Sequence, residues 1–83
     1  MKVSIKYFAS IREAIGQGGE LRETSASTLA ALRDELLAAG PVHAASLARG
    51  KAVRMAINQV MSDESAALGE GCEVAFFPPV TGG

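Results

Sequence analysis

An α+β fold is what this sequence predicts: a mixed sheet with one main helix packed on one face. Three observations predict it. Val3, Ile5 and Tyr7 alternate with Ser4, Lys6 and Phe8 near the start, the period of a strand with one buried face. Leu29, Leu32, Leu36 and Leu37 fall at i, i+3, i+7 and i+8, which makes one apolar stripe on an Ala- and Leu-rich helix. Val53, Met55 and Ile57 then restore strand alternation, so the order is strands, helix, further strands, which favours segregated elements over a doubly wound α/β sheet.

The first strand is VSIKYF. Ser10 and Glu13 stand at capping-box spacing after it, with Ile11 and Ile15 on a common face and Gly16 as a stop, which predicts one short helix. After the GQGG turn, Glu20 to Thr24 can pair back as a second strand, closing a hairpin whose connection contains that helix. Ser27 or Thr28 can cap the main helix, which Gly40-Pro41 is expected to end. Residues 42–51 are ambiguous in pattern and are read as another helical turn and a loop. The strand VRMAIN follows, then an Asn58-Gln59 turn into a short Val60-Met61 strand, and Gly69 and Gly71 lead into a last strand from Cys72 to Phe77. Pro78-Pro79 ends that ladder because neither residue can donate a backbone hydrogen bond. This order favours a β-grasp, in which the first and last strands lie side by side at the sheet centre; periodicity alone does not establish that pairing. The expected division is a domain over residues 1–77 and a flexible diglycine tail over 78–83.

Eighty-three residues suffice for one domain with a single core, but not for a substrate cleft between two lobes. With 48% hydrophobic and 20% charged residues the composition is that of an ordinary globular domain. The net charge of −1, with basic residues scattered from Lys2 to Arg54, leaves no footprint for nucleic acid. No apolar stretch approaches the roughly 20 residues that span a bilayer. One cysteine rules out an internal disulfide framework, and a cytoplasmic location is expected.

Catalytic constellations are scarce. The glycines of GQGGE follow a helix rather than a strand and lack the Lys-Ser or Lys-Thr of a phosphate loop, so they read as a turn. His43 is the only histidine and Cys72 the only thiol, so one chain cannot assemble a multidentate metal site, and both residues read as structural. Strand alternation singles out a surface instead. If Val3, Ile5 and Tyr7 face the helix along with Val74 and Phe76, then Phe8 and Phe77 emerge together on the opposite face, with Met61 as a candidate third member. Such an apolar patch often marks a partner interface; the alternative is a loop that covers it.

The last six residues are PPVTGG. At ordinary glycine usage two final glycines occur by chance in roughly half a percent of chains, and a loose or engineered tail is the plain alternative. A terminal carboxyl has a pKa of about 3.3–3.7, so at neutral pH it is a poor acyl electrophile until an oxygen becomes a leaving group. Glycine, having no Cβ, fits a narrow channel. Six extended residues reach about 20 Å, and the prolines stiffen the root of that arm.

KYFASIREAIG, TLAALRDELL, AINQ and GEGCEVAFFPPVTGG together resemble the MoaD family, the ubiquitin-like sulfur-carrier small subunits of molybdopterin synthase. The resemblance covers most of the chain and implies a two-stage mechanism at Gly83. An activating adenylyltransferase of the ubiquitin-activating type would use ATP with Mg to adenylate the Gly83 carboxylate, and a sulfur donor protein would convert it to a thiocarboxylate. The carrier would then dock on the large catalytic subunit, in a heterotetramer of two small and two large subunits. There it would donate sulfur to the cyclic pyranopterin precursor, two loaded carriers forming one dithiolene of the molybdenum cofactor. Gly82 would give the tail clearance, Pro78, Pro79, Val80 and Thr81 would deliver it, and Phe8, Met61 and Phe77 would dock. The chain would bind no cofactor or metal itself and would not be an enzyme alone. Sulfur delivery to thiazole synthesis, conjugation to target lysines and a non-covalent module with an incidental diglycine are the competing readings.

Overall fold

The inward row of the first strand fixes its place at the centre of the sheet. In the computed structural model, which describes residues 1–79, β1 (Lys2–Tyr7) buries Val3, Ile5 and Tyr7 almost completely. It pairs antiparallel with β2 (Gly19–Glu23) through Val3↔Arg22 and Ile5↔Glu20, and parallel with β5 (Glu73–Phe77) through Ile5↔Val74 and Tyr7↔Phe76. β3 (Arg54–Ile57) lies antiparallel to β5, and β4 (Val60–Ser62) closes the other edge, so the order is β2-β1-β5-β3-β4. The expected neighbouring of first and last strands is therefore present. A parallel pair needs a long crossover, and everything between β1 and β5 supplies it.

All three helices lie on one face. α1 (Ala9–Ile15) fills the β1–β2 connection, as expected, but not with the expected cap. Phe8 is the N-cap and makes no side-chain bond; its carbonyl accepts from the Ile11 and Arg12 amides at 3.1 and 3.2 Å. Ser10 lies inside the first turn, where its hydroxyl cannot serve as the cap. The reason is that the chain bends sharply at Ala9, with φ at 50°, and the helix begins two residues early. Gly16 ends it in the left-handed region, φ 89°, as anticipated.

α2 (Leu29–Leu37) is the main helix, capped by Thr28, whose hydroxyl accepts from the Ala31 amide at 3.2 Å. Leu29, Leu32 and Leu36 are fully buried; at about 1.5–3 kcal/mol for each large apolar side chain removed from water, this stripe is a main source of stability. The helix stops at Leu37, short of the expected Gly40-Pro41 boundary. Those two residues instead open α3 (Pro41–Leu47), with Gly40 as N-cap and Pro41 in the first turn, where a missing N–H costs nothing. The undecided stretch is thus a helix followed by a loop, and it contributes Leu47 to the core. The interior joins Val3, Ile5, Tyr7, Ile11, Leu29, Leu32, Leu36, Leu47, Val74 and Phe76, among others. The Asn58-Gln59 turn is formed as expected, with both residues at positive φ, 49° and 69°, the twist a tight hairpin requires.

Candidate functional site

Register decides what the outer face of the sheet displays. Since Val74 and Phe76 point inward, Ala75 and Phe77 point outward, and the pairs Ala56↔Ala75, Ala56↔Met61 and Arg54↔Phe77 place Ala56, Met61 and Arg54 on that face as well. Ala56 and Ala75 are nearly inaccessible, yet neither belongs to the interior cluster, so the neighbouring outer side chains are what cover them. The two alanines make a flat floor. Phe8 continues the β1 ladder, its amide donating to the Phe76 carbonyl at 3.1 Å, and its ring meets Phe77 edge to face with centroids 6.5 Å apart. Phe8 keeps 45% of its surface exposed and Phe77 is half-buried. The bend at Ala9 just beyond Phe8 holds an L-residue in the left-handed region, which costs about 1–2 kcal/mol.

Of the residues expected on this surface, Phe8 and Phe77 are in contact. Met61, 55% exposed, shares the face but sits on β4, two strands from Phe77, across the alanine floor. Strand alternation in the sequence pointed to these three and missed Leu21 on β2. Leu21 is opposite Ser4 on the outer face and 72% exposed. Its signal was weak: one leucine between charged residues in GELRE shows its face only once β2 is registered on β1. Arg54 alternates with Val53 and Met55, but its place opposite Phe77 follows only from the β3–β5 register.

Pro78 and Pro79 leave the end of β5 as half-buried, non-strand residues. Beside them is a groove of about 140 Å³, lined by Ser10, Ile11, Ser46, Lys51, Ala52, Val53 and Pro78. The remaining residues expected to act in the tail, Val80, Thr81, Gly82 and Gly83, lie outside the described residues.

The polar groups elsewhere are occupied in holding elements together. Glu20 Oε2 accepts from Tyr7 Oη at 3.2 Å and Gln17 Nε2 at 2.9 Å, and lies 3.4 Å from His43 Nε2. Burial, then the Glu20 charge, pushes the Tyr7 phenol well above its ordinary value, so it stays a neutral donor. His43 also meets the edge of the Tyr7 ring, 6.0 Å between centroids; its hydrogen bond goes to Glu20, not to a hydroxyl or thiol that it could activate. Cys72 is a free thiol packed in the interior cluster. Arg22 Nε donates to Glu35 at 2.5 Å and Thr24 Oγ1 donates to the same carboxylate at 2.8 Å, and these bonds hold the Glu35 carboxyl below the usual range. Among the described residues no cluster of three or more His, Cys, Asp or Glu could hold a metal, and no helix is long and apolar enough to cross a membrane. The described surface offers an apolar, flat-floored face beside Phe77 and Pro78, a surface suited to binding.

Comparison with known proteins supports the fold. The chain is 40% identical to the molybdopterin synthase sulfur carrier subunit of Haemophilus influenzae over 98% of this chain and 99% of that protein. Its structure is similar to that of SAMP1 from Haloferax volcanii, with a TM-score of 0.80 at 24% identity and full coverage of both chains. It is also similar to a chain in the complex of subunits 1 and 2 of molybdopterin-converting factor from Helicobacter pylori, with a TM-score of 0.69 at 24% identity, again over the whole of both. These two structures share the β-grasp arrangement described above. The ThiS family profile matches residues 5–83, from the first strand through the diglycine. The chain therefore belongs to the ThiS family.

Proposed function

We propose that this chain is the sulfur-carrier small subunit of molybdopterin synthase and works in the biosynthesis of the molybdenum cofactor. The observation that carries the reading is its match to a sulfur carrier subunit, 40% identical over 98% of this chain and 99% of that protein. Gly83 is the working residue: an activating adenylyltransferase uses ATP with Mg to convert its carboxylate to an acyl adenylate, and a sulfur donor displaces AMP to leave the thiocarboxylate. Adenylation supplies the leaving group that a carboxylate lacks. The large subunit then receives the tail and uses the sulfur on the cyclic pyranopterin precursor, so the chain donates sulfur but is not a catalyst by itself.

In this reading residues 1–77 are the docking domain and 78–83 the delivery arm. Phe8 and Phe77 form the centre of the contact, with Met61 at its far side across Ala56 and Ala75; aromatic anchors over a flat apolar floor are the usual core of an interface. Pro78, Pro79, Val80 and Thr81 lead the chain out, and Gly82 lets it enter a narrow channel. The complex of subunits 1 and 2 of molybdopterin-converting factor from Helicobacter pylori supports pairing with a large subunit. A two-plus-two assembly and a cytoplasmic location belong to the same proposed reading.

The test is intact-mass analysis after incubation with a matching activating enzyme, ATP and sulfur donor, repeated with Gly83 deleted. The expected result is a mass gain equal to replacement of one oxygen by sulfur in the full chain and none in the deletion. No gain with partners proven active on their own carrier refutes the reading, and accumulation of lysine conjugates without dithiolene would make the chain a protein modifier instead.

A further inference from the structure

Eight cations decorate a chain whose net charge is −1, and half of them have a partner. Arg22 pairs with Glu20 and Glu35, Arg49 with Asp34 and Glu64, and Lys6 more loosely with Glu73 at 3.9 Å. Arg33 is committed to the carbonyls of Leu47 and Ala48. Lys2, Arg12, Lys51 and Arg54 have no carboxylate within 4.0 Å among the described residues. Lys2 stands at the far end of β1, about 20 Å of strand from Phe8. Arg12 lies along the glycine turn, its Nε beside Gly18.

The other two flank the root of the tail. Arg54 is exposed on the outer face directly opposite Phe77 in the β3–β5 register. Lys51 is exposed on the rim of the groove that Pro78 lines. Among the described residues these two cations have no carboxylate partner, Arg54 beside the aromatic patch and Lys51 on the groove at Pro78, where a docked partner would strip water from them. Removing bare ammonium and guanidinium groups from water is costly unless the partner supplies the counter-charge.

We propose that Arg54 and Lys51 form a basic collar around the tail root that steers and selects a partner whose socket for Phe8 and Phe77 is rimmed with carboxylates. The inference rests on the reading that the large subunit docks on this face, and adds that its rim there is acidic. The collar acts on encounter: opposite charges accelerate and orient approach, while the apolar contact sets the residence time.

The test measures association of the full chain with the large subunit of molybdopterin synthase from the same cells, by stopped flow at about 0.05 M and about 0.5 M salt. Reversing both charges, Arg54→Glu with Lys51→Glu, should lower the association rate about tenfold at low salt, and the neutral pair Arg54→Gln with Lys51→Gln about threefold. At high salt the differences should fall below about twofold because screening removes them. A control with the same net charge, Lys2→Glu with Arg12→Glu, should change the low-salt rate less than about twofold. Equal slowing by the control would show that only net charge matters and would overturn the collar, as would wild-type rates in the collar variants. If the unmodified chain does not bind the large subunit at all, the docking reading fails first and the collar falls with it.

Discussion

Replacing Arg33 with methionine isolates what one buried cation contributes to this fold. Arg33 is 3% exposed on α2; its Nε donates to the Leu47 carbonyl at 2.8 Å and its Nη2 to the Ala48 carbonyl at 3.1 Å, tying α2 to the end of α3. The two bonds are not equal in effect. Ala48 also accepts from the Lys51 amide at 2.9 Å, so its oxygen keeps a partner in the variant, whereas Leu47 would lose a bond in a buried position. One buried bond to a charged donor is worth about 1.5–3 kcal/mol. Against that stands the cost of burying the guanidinium, which already pulls its pKa down, and methionine removes this cost while filling similar volume. The balance is a loss of about 2 kcal/mol, and a domain of this size loses about 4–8 °C of Tm for each kcal/mol. Urea unfolding gives the free energy, and native-state hydrogen exchange should show the Lys51 amide opening more readily than those of β1 and β5. A loss under about 0.5 kcal/mol with unchanged Lys51 protection would refute the reasoning.

Two further outcomes follow from specific contacts. A Cβ at Gly19 would sit 2.5 Å from the Ile5 carbonyl oxygen on the neighbouring central strand, so Gly19→Ala should destabilise by about 1–3 kcal/mol and shift the β1–β2 amide signals in an NMR spectrum; an unperturbed spectrum with wild-type stability would contradict the close approach. Glu35 has its folded pKa depressed, first by the hydrogen bond from Arg22, so its contribution is present above the unfolded glutamate value of about 4.3 and is lost as pH falls through the lower folded value. Glu35→Gln should therefore flatten the acid limb of the stability curve below about pH 4.3 relative to wild type, as measured by urea midpoints at stepped pH.

Much of this fold was legible because its signals are local. The alternation of Val3, Ile5 and Tyr7, the leucine stripe of α2 and the Asn58-Gln59 turn each state a preference within a few residues, and each appears in the structure. Helix ends were less legible because several residues can do the same job. Ser10 could have capped α1, but the bend at Ala9 brought the Phe8 carbonyl into that position, and Gly40-Pro41 serves as well to start a helix as to stop one. α3 was hard to delimit because its seven residues show little apolar periodicity and are too few to be stable alone, so Leu47 is held by tertiary burial. Of the proposed docking face, the two phenylalanines could be placed from their own strands, while Leu21 and the place of Arg54 opposite Phe77 needed the register of neighbouring ones.

The sequence by itself determined which face β1, β3, β5 and the main helix would bury, and the terminal PPVTGG that carries the proposed sulfur chemistry, because side-chain period and residue type are properties of adjacent positions. Only the tertiary structure decided that β1 and β5 pair in parallel, that Ala56 and Ala75 form a floor between Met61 and the aromatic pair, and that Arg54 and Lys51 flank Pro78. Those facts depend on contacts between residues far apart in the chain, whose energies no local pattern encodes; they are set when the whole core closes at once.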